Sequence, residues 1–291
     1  MNKQIVIRKT DCDGIGNVLK GFISAYSVYD NTVIECNKNY VFGNYDKILN
    51  SKHIYNIDED NEDNIKNIEY FYTCRLMVLK EEEKYQQHIP NEFFYSDRGG
   101  NSFISNLFSD SVLIDWNYDE SKISYKVKNR ILKTIKKISF NDTVTNEYNL
   151  IKNKIKNIGI LGILGISIRT WKSSHEKGID RLYSSSIYKE KIKEVLVNNL
   201  IDCIVLSFDN NDYIEEYTSY ISTLPNISNK QIYILNNIIS HDLDPLQKVI
   251  IKILLLSDCK HFIANRISTF SEIIFWFSMY KFIDQIVYPL F

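Results

Sequence analysis

The sequence predicts an α/β protein whose carboxyl-terminal half is a doubly wound parallel sheet. Three observations carry that expectation. Short apolar runs at Ile163 to Ile168, Asp202 to Ser207, Gln231 to Leu235 and His261 to Ala264 alternate with helix-like stretches. Those stretches are Ser186 to Leu200, Asp212 to Ser222, and a helix capped by Asp244-Pro245 that runs to Leu256. Strands separated by helices of this length need right-handed crossovers and therefore pair in parallel. The last strand runs through a polar turn into a further helix opening at Thr269, where Thr269 and Glu272 stand in the S/T-x-x-E spacing of a capping box.

The amino-terminal half is less regular. Ile5 to Arg8 reads as a short strand, and Thr10-Asp-Cys-Asp-Gly-Ile-Gly-Asn17 leads from it into an apolar helical run over Val18 to Val28. Gly14 and Gly16 permit a tight turn and close approach of backbone to a ligand. The spacing G-x-G-N lacks the third glycine of a dinucleotide fingerprint and the Gly-Lys-Ser/Thr of a P-loop, so NAD and ATP lose ground. Tyr40 to about Asn157 holds an acidic loop at Asp58 to Asp63, a helix-like alternation over Tyr118 to Ile138 and a lysine-rich helical connection over Tyr148 to Lys156. A boundary near residue 155 separates an amino-terminal domain, 1–155, from a carboxyl-terminal domain, 156–291.

Composition narrows the function classes. The 291 residues are 44% hydrophobic and 24% charged, the balance of a globular chain. Thirty-five basic against 36 acidic residues give a net charge of −1, which supplies no global field for nucleic acid. Cys12, Cys36, Cys74, Cys203 and Cys259 are odd in number and lack C-x-x-C spacing, which disfavours a disulfide framework and a zinc site and suits a reducing compartment. The amino end has too short an apolar run for a signal peptide, and Ile158 to Ile168 is about half the length of a membrane span, so the expectation is a cytoplasmic protein.

The carboxyl ends of parallel strands are where ligands bind, and the residues there are informative. The first strand of the second half ends in Ser167-Ile168-Arg169-Thr170-Trp171, the next in Ser207-Phe208-Asp209, and the last in Asn265-Arg266 before Ser268, Thr269 and Phe270. An arginine, two hydroxyls and a helix amino end on one rim suit a diphosphate, because the arginine offers a planar fork of donors and the helix offers unpaired N–H groups. Three D-x-D triplets, at Asp11 and Asp13, Asp58 and Asp60, and Asp242 and Asp244, raise a metal-dependent alternative. Caps and solvated loops explain them more cheaply, so no metal is expected.

These residues resemble the fucosyltransferase superfamily, which includes bacterial alpha-1,2-fucosyltransferases, nodulation-type alpha-1,6-fucosyltransferases and protein O-fucosyltransferases. Asp13-Gly-Ile-Gly-Asn17 resembles its amino-terminal G-x-G-N turn, Ile166-Ser-Ile-Arg169 its H-x-R segment, Ser207-Phe-Asp209 its S-x-D segment, and Ser268-Thr-Phe-Ser271 its closing phosphate-binding turn. The resemblance implies two Rossmann-like domains facing a cleft, a GT-B-like glycosyltransferase with an acceptor-side domain, 1–155, and a nucleotide-sugar-binding domain, 156–291. It implies inverting, metal-independent transfer from a nucleotide sugar, GDP-fucose above all, to a glycan acceptor in glycan biosynthesis, with no cofactor. Arg169 then assists departure of the nucleotide. Asn17, Gly14, Gly16, Ser167, Asp209, Ser268, Thr269 and Phe270 hold the donor, and Glu176, with His175 second, takes the acceptor's proton. Ser167 stands where the family has a histidine that helps read guanine. That departure leaves open a different nucleotide-sugar donor, or a binding protein on the same fold that has lost catalysis.

Overall fold

The computed structural model describes residues 4–8, 14–27, 29–36, 43–56, 68–72, 118, 120–122, 125–156, 162–171, 183–265, 268–281 and 283–290. The chain divides into two compact units, Met1–Val144 with Asp244–Val249, and Thr145–Leu243 with Ile250–Phe291. Each carries one sheet in which every described pairing is parallel.

In the first unit, β1 (Gln4–Arg8), β2 (Thr32–Cys36), β3 (Ile54–Asn56) and β4 (Ile68–Tyr72) lie in the order β3-β2-β1-β4. Val6 of the central strand stands opposite Val33 on one side and Tyr70 on the other. Ile5, Val6 and Ile7 are all buried, as a parallel strand covered on both faces requires. Helix α1 (Ile15–Tyr26) follows β1 and buries Val18, Leu19, Phe22 and Ile23. Helix α2 (Tyr125–Lys137) packs beside it and takes up the second part of the alternation read over Tyr118 to Ile138.

The second unit is entered through α3 (Asp142–Lys156). Its order is β5 (Ile163–Ile168), α4 (Ser185–Asn198), β6 (Cys203–Phe208), α5 (Ile214–Ser222), β7 (Gln231–Ile234), α6 (Leu235–Ile238), α7 (Pro245–Leu256, of which Pro245–Val249 belongs to the first unit), β8 (His261–Asn265), α8 (Thr269–Tyr280) and β9 (Ile286–Leu290). The sheet runs β7-β6-β5-β8-β9, with Ser167 opposite Ser207 and Ile166 opposite Ile263. Strand β9 escaped the sequence pattern. Pro289 argues against a strand in a sheet centre, yet β9 is an edge, where a missing N–H is tolerated.

Side-chain parity shows the double winding. Leu164, Ile166 and Ile168 of β5 join Ile204, Leu206 and Phe208 of β6 in a core with Tyr188 and Ile192 of α4 and Tyr217 and Ile221 of α5. Gly165, on the intervening parity, lies against the other layer: a Cβ there would stand 2.9 Å from Cys259 Sγ and 3.1 Å from Leu256. Helix α8 is buried along nearly its whole length, and Lys281 just beyond it fixes its carboxyl end. That ammonium donates to the Leu254 carbonyl and Ser257 Oγ, both at 2.7 Å, and to Tyr148 Oη at 3.0 Å. Burial pulls its pKa down to about 8 against the opposing charge of Asp258, 3.2 Å away. No helix among the described residues is long and apolar enough to cross a membrane.

The first unit carries a titration that its stability should report. His53 is buried edge-on against the rings of Phe22 and Tyr26, and its Nε2 accepts the Ser139 N–H at 3.3 Å. Burial, with the Lys52 charge adding, lowers its pKa from 6.5 to about 4. Between those values the unfolded chain takes up a proton that the folded chain refuses, so stability falls as pH falls. The loss from this group approaches ~3 kcal/mol by pH 4. Urea titrations at pH 7 and pH 4.5 should therefore show a smaller loss in His53→Gln, which keeps an acceptor without titrating, than in wild type. Equal losses would contradict the assignment.

Candidate functional site

In both sheets the chain reverses its direction of travel beside the first strand. β5 is followed by β6 and β7 on one side and by β8 and β9 on the other, so the crevice above the carboxyl ends of β5 and β8 is the switch point where such sheets bind ligands. Arg169 leaves β5 there, and Ser268 follows β8 there. In the first sheet β2 and β3 lie on one side of β1 and β4 on the other, and α1 opens from that strand's carboxyl end.

The β5 end is tightly built. Arg169 Nη1 donates to Asp209 Oδ2 at 3.2 Å, and the guanidinium carbon lies 4.4 Å from the centre of the Trp171 ring. Thr170 donates its N–H to both Asp209 oxygens, at 2.9 and 3.0 Å, and its hydroxyl to Oδ1 at 2.9 Å; the Trp171 N–H reaches Oδ2 at 3.0 Å. Asp209 therefore gathers the whole turn. Behind it, the Arg169 N–H donates to Tyr188 Oη at 3.2 Å, and that hydroxyl donates to the Ser167 carbonyl at 3.1 Å. Burial pushes the Tyr188 phenol well above its ordinary pKa, so the hydroxyl stays protonated. About a third of the Arg169 side chain remains exposed, 31%, while Asp209 is 9% exposed.

The β8 end supplies the helix terminus. Ser268 is the N-cap of α8, with φ −85° and ψ 118°, and its hydroxyl makes no capping bond to the helix. Thr269 is thus the first helical residue, one place too far along to close the expected box with Glu272. The Glu272 carboxylate accepts from Trp276 Nε1 at 3.4 Å. The reciprocal box forms instead at Asp244-Pro-Leu-Gln247. Asp244 Oδ1 accepts the Leu246 N–H at 2.8 Å, and Gln247 Oε1 accepts the Asp244 N–H at 2.9 Å. At α8, Ser268 is buried, Thr269 and Phe270 are half-buried, and Ser271 Oγ is buried with no partner among the described residues. The Ser268 N–H donates to the Asn265 carbonyl at 3.1 Å, and with no cap from the Ser268 hydroxyl the following N–H groups of this 12-residue helix and its positive dipole end are left, among the described residues, for an anion.

The glycine turn is a helix start. Helix α1 opens at Ile15, so Gly16 and Asn17 lie in its first turn and only Gly14 precedes it. The Gly14 carbonyl accepts the Asn17 and Val18 N–H groups at 3.0 and 3.3 Å. Ile15 is buried and lengthens the apolar face by a turn, which outweighs the low helix propensity of Gly16. Gly14 has φ −76° and ψ 160°, a conformation open to any residue, and a Cβ there would meet nothing within 4 Å. Neither the local backbone nor packing among the described residues calls for glycine at that position.

The structure thus brings Arg169, Asp209 and Ser167 to neighbouring strand ends, with Ser268, Thr269 and Phe270 on the adjacent strand's exit. Gly14, Gly16 and Asn17 occupy the corresponding edge of the first unit. Glu176, His175 and Arg266 lie outside the described residues, as do Asp11, Asp13, Asp58 and Asp60. Among the described residues no three His, Cys, Asp or Glu side chains gather as metal ligands, and Asp244 serves as a cap. Thr170, Trp171 and Tyr188 were not foreseen as site residues. The first two had a signal, since they follow the charge at a strand end directly; Tyr188 had none.

No protein-family model and no curated protein matches the sequence. Solved structures do. Fucosyltransferase NodZ from Bradyrhizobium superposes with a TM-score of 0.52 at 14% identity, over 94% of this chain and 92% of that one. The chain has the GT-B fold of these fucosyltransferases. A mutant of Arabidopsis thaliana FUT1 in complex with GDP gives 0.55 at 13% identity, over 100% of this chain and 70% of that one. POFUT1 in its apo form gives 0.51 at 12% identity, over 100% and 99%. At these identities the likeness is one of fold, and it agrees with the resemblance carried by the four short motifs.

The two helix starts make a contrasting pair. Asp244→Ala should lower the unfolding free energy by ~1 kcal/mol, because it removes a working cap. Thr269→Ala should lower it by less than about 0.5 kcal/mol, as for a residue that caps nothing. Equal losses in urea titrations would restore Thr269 as a structural cap and weaken the case for an open anion site.

Proposed function

We propose that this chain is an inverting glycosyltransferase that works without a metal and moves fucose from GDP-fucose to a hydroxyl of a glycan acceptor. The observation that carries the reading is Arg169 beside the open amino end of α8, both at the switch point of the second sheet. The fold supports it further, since NodZ alpha-1,6-fucosyltransferase, of the same fold, has been soaked with GDP-fucose.

The chemistry follows from charge. As the bond between sugar carbon and phosphate oxygen breaks, its electron pair leaves with GDP and negative charge builds on the diphosphate. Arg169, the N–H groups at Thr269 and Phe270 and the Ser268 hydroxyl neutralise that charge where it develops, the Ser268 N–H being held by the Asn265 carbonyl at 3.1 Å. The acceptor oxygen attacks the opposite face of the same carbon, and its proton passes to Glu176, the base this reading assigns. Gly14, Gly16 and Asn17 are assigned to the donor as well. Ser167 contributes through its backbone carbonyl, already bonded to Tyr188.

A second reading rests on Ser167 itself. Its side chain is small and 5% exposed, so the imidazole that reads guanine in the family has no counterpart at this position. A different nucleotide-sugar donor would fit the same diphosphate site.

Release of GDP from GDP-fucose, measured across a panel of glycan acceptors with and without EDTA, tests the proposal. Release should survive EDTA and fall about 100- to 1,000-fold in Arg169→Ala, the size of loss when one oxyanion-stabilising donor is removed. Turnover of another nucleotide sugar but not GDP-fucose would support the second reading. Binding of GDP with no turnover of any donor would identify a protein that has lost catalysis.

A further inference from the structure

We propose that Asp209 is a positioning residue, which sets Arg169 against the leaving diphosphate and does not itself touch the nucleotide; the inference rests on the diphosphate reading above. The sequence pattern places Asp209 among the donor contacts, and the geometry points elsewhere. A carboxylate offers about four lone-pair sites. Four donor groups occupy those of Asp209: Arg169 Nη1 at 3.2 Å, the Thr170 N–H at 2.9 and 3.0 Å, the Thr170 hydroxyl at 2.9 Å and the Trp171 N–H at 3.0 Å. A ribose hydroxyl or a base N–H would have to displace one of them.

The backbone gives an independent reason. Trp171 has φ 63°, in the left-handed region that a bulky residue rarely enters. Strain of this kind persists only where surrounding bonds over-determine it. Here two successive N–H groups, from Thr170 and Trp171, are drawn onto one carboxylate, which turns the chain sharply after β5 and lays the indole against the Arg169 guanidinium. Asp209 therefore orients the cation twice, by a direct ion pair and through the ring that the cation stacks on. The carboxylate is itself fixed. Its own N–H donates to the Ile168 carbonyl at 3.2 Å, and the preceding Phe208 N–H donates to Asn236 Oδ1 at 3.1 Å.

A lone arginine at a strand end would sweep through many rotamers. Held by a carboxylate and a ring, it presents its remaining surface in one direction, and the ordering entropy is met before the ligand arrives. The Thr170 and Trp171 donors also spread the Asp209 charge, so the pair does not cancel the field that Arg169 offers an anion.

Calorimetric titration of GDP into wild type, Arg169→Ala, Asp209→Asn and the double variant tests the proposal. Asn keeps the shape but replaces one acceptor oxygen by an amide that faces the Thr170 and Trp171 donors. Each single variant should lose about 10- to 100-fold in affinity, the size of one charge-assisted hydrogen bond. The double variant should be no weaker than Arg169→Ala alone, because both changes act through one cation. A purely structural role would not produce that non-additivity. Losses that multiply, or an Asp209→Asn that binds GDP like wild type, would overturn the proposal. Should Asp209→Asn fail to fold, Thr170→Val removes one donor and leaves the charge. A several-fold loss in the wild-type background with none in Arg169→Ala supports the proposal, and equal losses in both overturn it. A wild type that binds neither GDP nor inorganic pyrophosphate would instead sink the diphosphate reading and this proposal with it, an outcome distinct from multiplying losses in a protein that binds.

Discussion

A parallel strand can be joined to the next only by a crossover, and this constraint governs both units. Every described strand pairing is parallel, so each sheet gathers the exits of its strands along one edge. Because the strand order reverses beside β5, the exits of β5 and β8 diverge to opposite faces and leave a crevice between them. Anything built on those two exits faces the same space without long loops. Arg169 and Ser268 are placed by sheet order alone.

What makes the crevice specific is how each exit is finished. At β5, a carboxylate on the neighbouring strand draws in two backbone amides, a hydroxyl and a guanidinium, and the chain accepts a left-handed tryptophan in consequence. At β8, the helix begins with a Ser268 hydroxyl that does not cap it, whereas α7 begins with a complete reciprocal box. A capped terminus has its first donors satisfied, and an uncapped one keeps them for solvent or ligand. The far ends are secured separately: Lys281 ties the end of α8 to Ser257 and Tyr148, and Tyr188 bridges the backbone across Ser167 and Arg169. The edge that carries charge is therefore supported from behind by a buried phenol and a half-buried ion pair.

The strands and their alternation with helices were legible because buried parallel strands leave short, nearly uninterrupted apolar runs, as Ile163 to Ile168 and His261 to Asn265 do. Arg169 was legible because a cation at the end of such a run demands a reason. The start of α8 at Thr269 was legible, but its N-cap was placed one residue late, since Ser268 and Thr269 are chemically alike and only the backbone angles separate N-cap from first turn. Strand β9 was hidden by Pro289, which reads as a breaker unless the strand is known to be an edge. Asp209 was visible as a residue but not as a role: after a strand, an aspartate can cap, bind a ligand or hold a neighbour, and the three differ only in hydrogen-bond geometry. Tyr188 gave no sign at all, because its partners are backbone groups brought to it by tertiary packing.

The proposed chemistry requires a diphosphate lying between the exits of β5 and β8. A crystal structure of the chain grown with GDP would test that most directly. The account predicts phosphate oxygens within about 2.7–3.2 Å of the Arg169 guanidinium and of backbone N–H groups at the start of α8. GDP bound with its phosphates away from both, at any other edge of either sheet, would contradict it.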